Sequence, residues 1–206
     1  LSNPNGNIMA IMPHPERTLG NEADDLFKSM RNYMESDDPF SFKSLNFSSK
    51  KINIKKFKKP AKQNEILVST IIADNEAASV EKCINSLGVK AKVKKYLHFE
   101  IDATDRLDIN TIVSTDVLFN PSKEYIANIK EESDIYRFLV RSKDDIVGQS
   151  LAQILQDRFN LSGLKSIKKG VVWEVKINSS RAKKDVDIIL NSHIFSNPIS
   201  QECHEY

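Results

Sequence analysis

A chain of 206 residues with 40% hydrophobic and 28% charged side chains is long enough to bury a core in one or two ordinary globular domains. Its net charge of +2 argues against a dedicated polyanion binder, and its two cysteines, Cys83 and Cys203, form neither a metal-binding pattern nor a disulfide framework. No apolar run approaches the roughly 20 residues of a membrane-spanning helix, and the short run 8–12 is too poorly flanked for a signal peptide, so a soluble protein of the reducing cytoplasm is expected.

The first chemistry-bearing motif is Met12-Pro13-His14-Pro15-Glu16-Arg17. Prolines favour an extended backbone here, in which residues two apart project to one side, so His14 and Glu16 can lie together. A carboxylate so placed orients an imidazole and stabilises the imidazolium that forms as a thiol is deprotonated. A helix is predicted over 22–34, with acidic residues in its first turn and Ala23, Leu26, Phe27, Met30 and Met34 at helical spacing. That stripe needs a sheet or another helix to cover it.

The phrase 4–17, beginning Pro4-Asn5-Gly6-Asn7, together with this helical tail resembles the C-terminus of PurQ, the class I glutamine amidotransferase subunit of phosphoribosylformylglycinamidine synthase. The resemblance implies a Cys-His-Glu triad with His14 as the base and Glu16 as its orienting partner. In that family the cysteine lies far upstream, in a Gly-x-Cys-x-Gly turn. Here both cysteines follow the motif, and neither has that glycine context. Residues 1–36 are therefore expected to be a glutaminase remnant without a complete active site, either the tail of a longer active glutaminase or what is left after loss of its catalytic domain.

Residues 37–63 read as a linker carrying Lys50, Lys51, Lys55, Lys56, Lys58, Lys59 and Lys62. With no glycine, no recognised nucleic-acid fold and only Phe57 among the lysines, the run reads as a solvated linker or an acidic-partner contact rather than a nucleic-acid site. Alternation in Lys51-Ile52-Asn53-Ile54-Lys55 allows one short strand.

Beyond the linker the chain repeats itself. Residues 94–101 align without gaps on 168–175, matching Leu97, Phe99 and Ile101 with Val171, Trp173 and Val175 on one face of a period-two strand. Leading strands are predicted at 66–72 and 135–141. First helices are marked by Ala77, Val80, Ile84 and Leu87, and by Val147, Leu151, Ile154, Leu155 and Phe159. Second helices are predicted from 106 to about 117 and at 181–190, the latter capped by Ser180. Asn120-Pro121 and Asn197-Pro198 then start short extended arms. Each unit, 64–131 and 132–206, thus reads strand, helix, long strand, helix, short strand. Trp173 is assigned to the core, while His98 falls on the opposite face and is expected exposed, as are His193 and His204. Lys94-Lys95 and Lys168-Lys169 read as lysines that guard strand edges.

The second unit is similar throughout to PurS, the small subunit of the same synthase, through Asp144-Asp145-Ile146-Val147-Gly148-Gln149, Gly170 at the bend into the long strand, and Phe195-Ser196-Asn197-Pro198-Ile199. The first unit looks like a diverged copy that keeps Ser86-Leu87-Gly88 and Phe119-Asn120-Pro121, has Tyr96 where the second has Gly170, and lacks the Gly148-Gln149 pair. PurS subunits pair, and the large fused synthetase carries a PurS-like region of doubled size. The resemblance therefore implies an α+β fold of two ferredoxin-like-related PurS units packed as a pseudo-dimer. In the family PurS is not a catalyst. It bridges a PurQ-like glutaminase and an ATP-using, PurL-like synthetase while ammonia from glutamine reaches formylglycinamide ribonucleotide. Gly148, Gln149 and Gly170 would contact partners, ATP and Mg would be used by the synthetase with no cofactor on this chain, and homo-oligomers would be allowed, with no membrane or nucleic-acid partner. Tandem ferredoxin-like units also serve as RNA-binding and small-molecule regulatory domains. Lys169-Gly170 supplies only the first two positions of an RNA-binding strand motif, whereas the regulatory alternative stays open.

Overall fold

The computed structural model describes residues 8–12, 14–17, 23–35, 54–60, 63–104 and 107–206, and the chain divides into two compact units, Leu1–Ser49 and Lys50–Tyr206. In the first unit Pro15–Arg17 forms a 3-10 turn closed by Arg17 N–H on the His14 carbonyl at 3.0 Å, not the extended segment that the prolines suggested. Helix α1 (Asp24–Glu35) opens with Asp24 and Asp25, whose carboxylates suit the positive end of the helix dipole. Its amphipathic stripe is real, yet Phe27, Met30 and Met34 are exposed.

In the second unit the elements follow as β1 (Lys55–Lys56), β2 (Asn64–Thr70), α2 (Asn75–Ser86), β3 (Ala91–Ala103), α3 (Ile109–Val113), β4 (Glu124–Ile126), β5 (Ile135–Ser142), α4 (Ile146–Phe159), β6 (Leu164–Ile177), α5 (Ala182–Asn191) and β7 (Gln201–Glu205). The fold is mixed α+β, with one seven-stranded sheet in the order β1-β7-β5-β6-β3-β2-β4. All its neighbours are antiparallel except β1 on β7. Among the described residues no helix is long and apolar enough to cross a membrane.

The two long strands, β3 and β6, pair through thirteen residues at the middle of this sheet. Leu97 faces Val171, its own counterpart in the sequence repeat, and Val93–Val175 and Ile101–Ile167 lie on either side as each other's equivalents. The register thus has an internal two-fold centred on Leu97–Val171. Local hydrogen bonds repeat with it. Asp74 accepts from Ala77 N–H at 3.0 Å to start α2, and Asp145 accepts from Gly148 N–H at 2.8 Å to start α4. After each Asn-Pro, the asparagine carbonyl accepts from Glu124 N–H or Gln201 N–H at 2.8 Å, and the same asparagine's own N–H donates to the Glu124 or Gln201 side chain at 2.8 Å.

The helices cover one face in crossed pairs. Ala77 and Ile84 of α2 share a core with Ile189 of α5 around Val93, Phe138, Trp173 and Val175. Ala152 and Leu155 of α4 share the other with Ile112 of α3 around Ile66, Phe99, Ile101 and Ile167. Each repeat's first helix therefore completes a core with the second helix of the other repeat. Trp173 is buried as expected and stacks on Phe195 with centroids 5.4 Å apart.

Several expectations are corrected. Helix α3 spans five residues because Asp108 caps it late and Ser114 and Thr115 turn their hydroxyls back onto the carbonyls of Thr111 and Ile112. Ser180 does not cap α5, whose start has no side-chain cap; Ser179 Oγ instead accepts from Arg181 N–H at 3.0 Å. The lysine pairs guard no edge, since β3 and β6 are central. Lys94 reaches Glu174 at 3.6 Å, Lys168 reaches Glu100 at 3.5 Å, and Lys95 ties β3 to Asp74 and Glu76 at the start of α2, at 3.3 and 2.5 Å.

Candidate functional site

Period two sends the alternate residues of β3 and β6 to the face opposite the helices, and that face carries Tyr96, His98, Glu100, Gly170, Val172 and Glu174. A small apolar cluster of Leu67, Tyr96, Leu139 and Val172 sits at its centre, joined by Phe57, Ala127, Ile129 and Tyr206 from connecting segments. Strand β1 is what brings Phe57 there: Phe57 N–H donates to the Glu205 carbonyl at 2.6 Å, so part of the lysine-rich segment becomes the sheet's last edge.

Two ion-pair networks flank this cluster, each built on the same carboxylate of the repeat. In the first, the buried Glu100 takes Arg141 at 2.8 Å and Lys168 at 3.5 Å. His98 is fully buried, correcting its expected exposure, because Tyr206 and Phe57 lie edge-on to its ring with centroids 5.8 Å away. His98 Nε2 pairs with Glu65, and its Nδ1 faces Arg141 Nη2 at 3.4 Å, an arrangement satisfied by the tautomer with its proton on Nε2. The Tyr206 hydroxyl donates to Glu65 at 2.9 Å. Burial alone would raise the Glu65 carboxyl, but the hydrogen bond and electrostatic pull of His98, the Tyr206 hydrogen bond and the Lys59 charge outweigh it and hold Glu65 below the usual carboxylate range. Arg141 also lies over the Phe57 ring, 5.0 Å from its centroid.

In the second network the buried Glu174 takes Arg137 at 2.8 Å and Lys94 at 3.6 Å, and the Tyr96 hydroxyl stands 3.4 Å away. Burial, with the Glu174 charge beside it, pushes the Tyr96 phenol up to about 12. Arg137 also donates to the Lys130 carbonyl at 2.6 Å, pinning the segment between repeats over the sheet. Between that segment and the strands lies a cleft of about 310 Å³ lined by Lys92, Lys94, Lys130, Arg137 and Lys176 together with Tyr96 and the carboxylates of Glu132 and Glu174, among others.

The residues singled out from sequence fall elsewhere. His14 Nδ1 donates to Glu16 Oε1 at 2.8 Å, so the two do meet, in the open. Both cysteines belong to the other unit; Cys203 is buried, and that burial pushes its thiol up to about 11, away from the thiolate a nucleophile needs. Gly148 is buried where α4 crosses β6: a Cβ there would stand 2.4 Å from the Ile167 carbonyl. Gln149 beside it is exposed. Gly170 is buried under Leu139 and the stem of Arg141, and a Cβ there would meet them at 2.9 and 3.0 Å. His193 and His204 are half-buried, His204 standing 3.4 Å from Glu202. Among the described residues no three His, Cys, Asp or Glu side chains group as a metal ion would require.

Sequence reading missed both networks, that of Glu65, His98, Glu100 and Arg141 and that of Arg137 and Glu174. The signal was present: a lysine and a glutamate six residues apart recur on the polar face of both long strands, where a charge in mid-strand needs a cross-strand partner. No family model matches the chain, and no curated protein matches it.

Proposed function

We propose that the chain is a PurS-like assembly subunit of phosphoribosylformylglycinamidine synthase, in which two fused PurS units form a pseudo-dimer that bridges a PurQ-like glutaminase and a PurL-like synthetase. The observation that carries the reading is the register of β3 on β6, which sets the two repeats about a two-fold and lets each supply a helix to the other's core. A fused pair of units that pair as separate subunits in the family would have this form. The catalytic chemistry, with its ATP and Mg, belongs to the partners. The exposed Phe27, Met30 and Met34 of α1 suit a surface that another polypeptide covers, and on this reading the glutaminase does so.

The test is reconstitution with a PurL-like synthetase and a PurQ-like glutaminase. Addition of the chain is expected to yield a ternary complex on size exclusion and to raise glutamine-supported synthesis while leaving ammonia-supported synthesis unchanged. The chain alone should release no ammonia from glutamine. Failure to form the complex, with glutamine-supported synthesis indifferent to the chain, contradicts the proposal.

A further inference from the structure

The two networks occupy equivalent places about the two-fold, yet their charges have diverged. The register makes Lys92, Lys94, Arg137, Lys176 and Glu174 the counterparts of Ser166, Lys168, Glu65, Asp102 and Glu100. Around the cleft these five positions hold four cations and one carboxylate, with Glu132 and Lys130 also in the lining; on the other half they hold one cation and three carboxylates, and Arg141, the counterpart of Ser69, adds a second cation on Glu100. The surfaces above them differ too. On the half around Glu100 Phe57 and Tyr206 stack over the sheet, 5.7 Å apart, and close it. On the basic half the segment through Ile129 and Lys130 arches over the strands and leaves the cleft.

We infer that this cleft binds a small phosphate-bearing anion. The Arg137 guanidinium is held rigidly by Glu174 and the Lys130 carbonyl, giving a fixed positive floor. Lys92 and Lys94 are largely exposed and Lys176 nearly half-exposed, and their pairs with Glu81, Glu174, Glu132 and Asp134 lie at 2.8 to 3.6 Å. Ion pairs between solvent-exposed groups are weak, so Lys176 can swing from Glu132 and Asp134 to an incoming phosphate at little cost, and Lys94 can turn away from the buried Glu174, which keeps Arg137 at 2.8 Å. The Tyr96 hydroxyl, protonated at neutral pH, adds a neutral donor where the second repeat has a glycine. Ile129 and Ile135 supply apolar wall for the rest of the ligand. The cleft's volume of about 310 Å³ is at the small end of the range for ligand sites, which favours a compact phosphomonoester over an acidic segment of a protein. This inference does not depend on the assembly role, because it is read on the chain alone.

The test is an amide-shift NMR titration of the full chain with inorganic phosphate, ribose 5-phosphate, unphosphorylated ribose and a tetraglutamate peptide. Saturable shifts are expected with the first two at amides around Lys94, Tyr96, Ile129 and Arg137, and none with ribose. Lys94→Gln should weaken ribose 5-phosphate by about tenfold, as loss of one charge-assisted contact implies. Lys168→Gln removes the counterpart lysine from the closed half and should leave affinity unchanged; it controls for folding, since both lysines pair with a buried glutamate of the same strand pair. No saturable shift, equal binding of ribose, binding of tetraglutamate without phosphate, or equal weakening by both variants overturns the inference.

Discussion

Glu65, His98 and Tyr206 illustrate how one buried polar group recruits others. His98 sits in mid-strand under two aromatic rings, where an unpaired imidazole would cost roughly 1–3 kcal/mol, and Glu65, from the neighbouring strand, satisfies it. Tyr206, the last residue in the sequence, then completes the carboxylate's shell. Sequence periodicity correctly put His98 on the face away from the helices but could not show that distant segments cover that face, because cover by Phe57 and Tyr206 is a tertiary fact with no local signature. Burial and the nearby Glu174 and Glu65 carboxylates raise the phenols of Tyr96 and Tyr206 above the ordinary value of 10.0. A group whose pKa is raised on folding contributes stability that is complete below its unfolded pKa and is lost as pH climbs through the folded one. Stability should therefore fall above pH 10.0, and part of the tyrosinate absorbance should appear only as the far-ultraviolet circular dichroism is lost. Complete tyrosine titration ahead of any loss of structure would contradict this assignment.

At the scale of elements, the clear signals were those in which local chemistry and long-range packing agree. The two long strands, the first helices and the Asn-Pro arms were legible, because alternation, an apolar helical stripe and a helix-stopping proline each act within a few residues. Helix α3 was overextended because apolar spacing ran on through Val117, while the hydroxyl turns at Ser114 and Thr115 ended it earlier. The short strand allowed at 51–55 falls outside the described residues except at Ile54 and Lys55, and β1, at Lys55–Lys56, had no local signature, since its pairing depends on β7 more than a hundred residues away. Helix α4 gives the sharpest prediction at this scale. Asp145 caps it and also accepts from Lys169 N–H at 2.6 Å, so the helix start is clamped to β6 with room for no side chain at Gly148. Gly148→Ala should destabilise the protein by about 1–3 kcal/mol, as overpacking against a backbone carbonyl does, measurable in urea unfolding; an unchanged midpoint would show that the helix yields freely.

For the whole molecule the central feature is that neither repeat closes its own core. A unit of this size is marginal by itself, and here each half would lose the thirteen-residue pairing along its long strand as well as the other half's helix. The repeat itself was legible from the matched strands, but how the copies join was not: a sequence repeat reports equivalent faces without saying whether sheets meet face to face or, as here, edge to edge into one sheet. The same joining leaves a continuous helix-free face whose two halves carry different charge patterns, which is how a duplicated fold gains a feature that a symmetric pair could not have. The most direct test is to express residues 132–206 alone and determine their state by sedimentation and amide NMR. If the halves are obligate complements, this fragment will be unfolded or will pair with a second copy of itself, and mixing it with 54–131 will restore the spectrum of the intact unit. A dispersed, native-like spectrum from a monomeric 132–206 fragment would contradict the account.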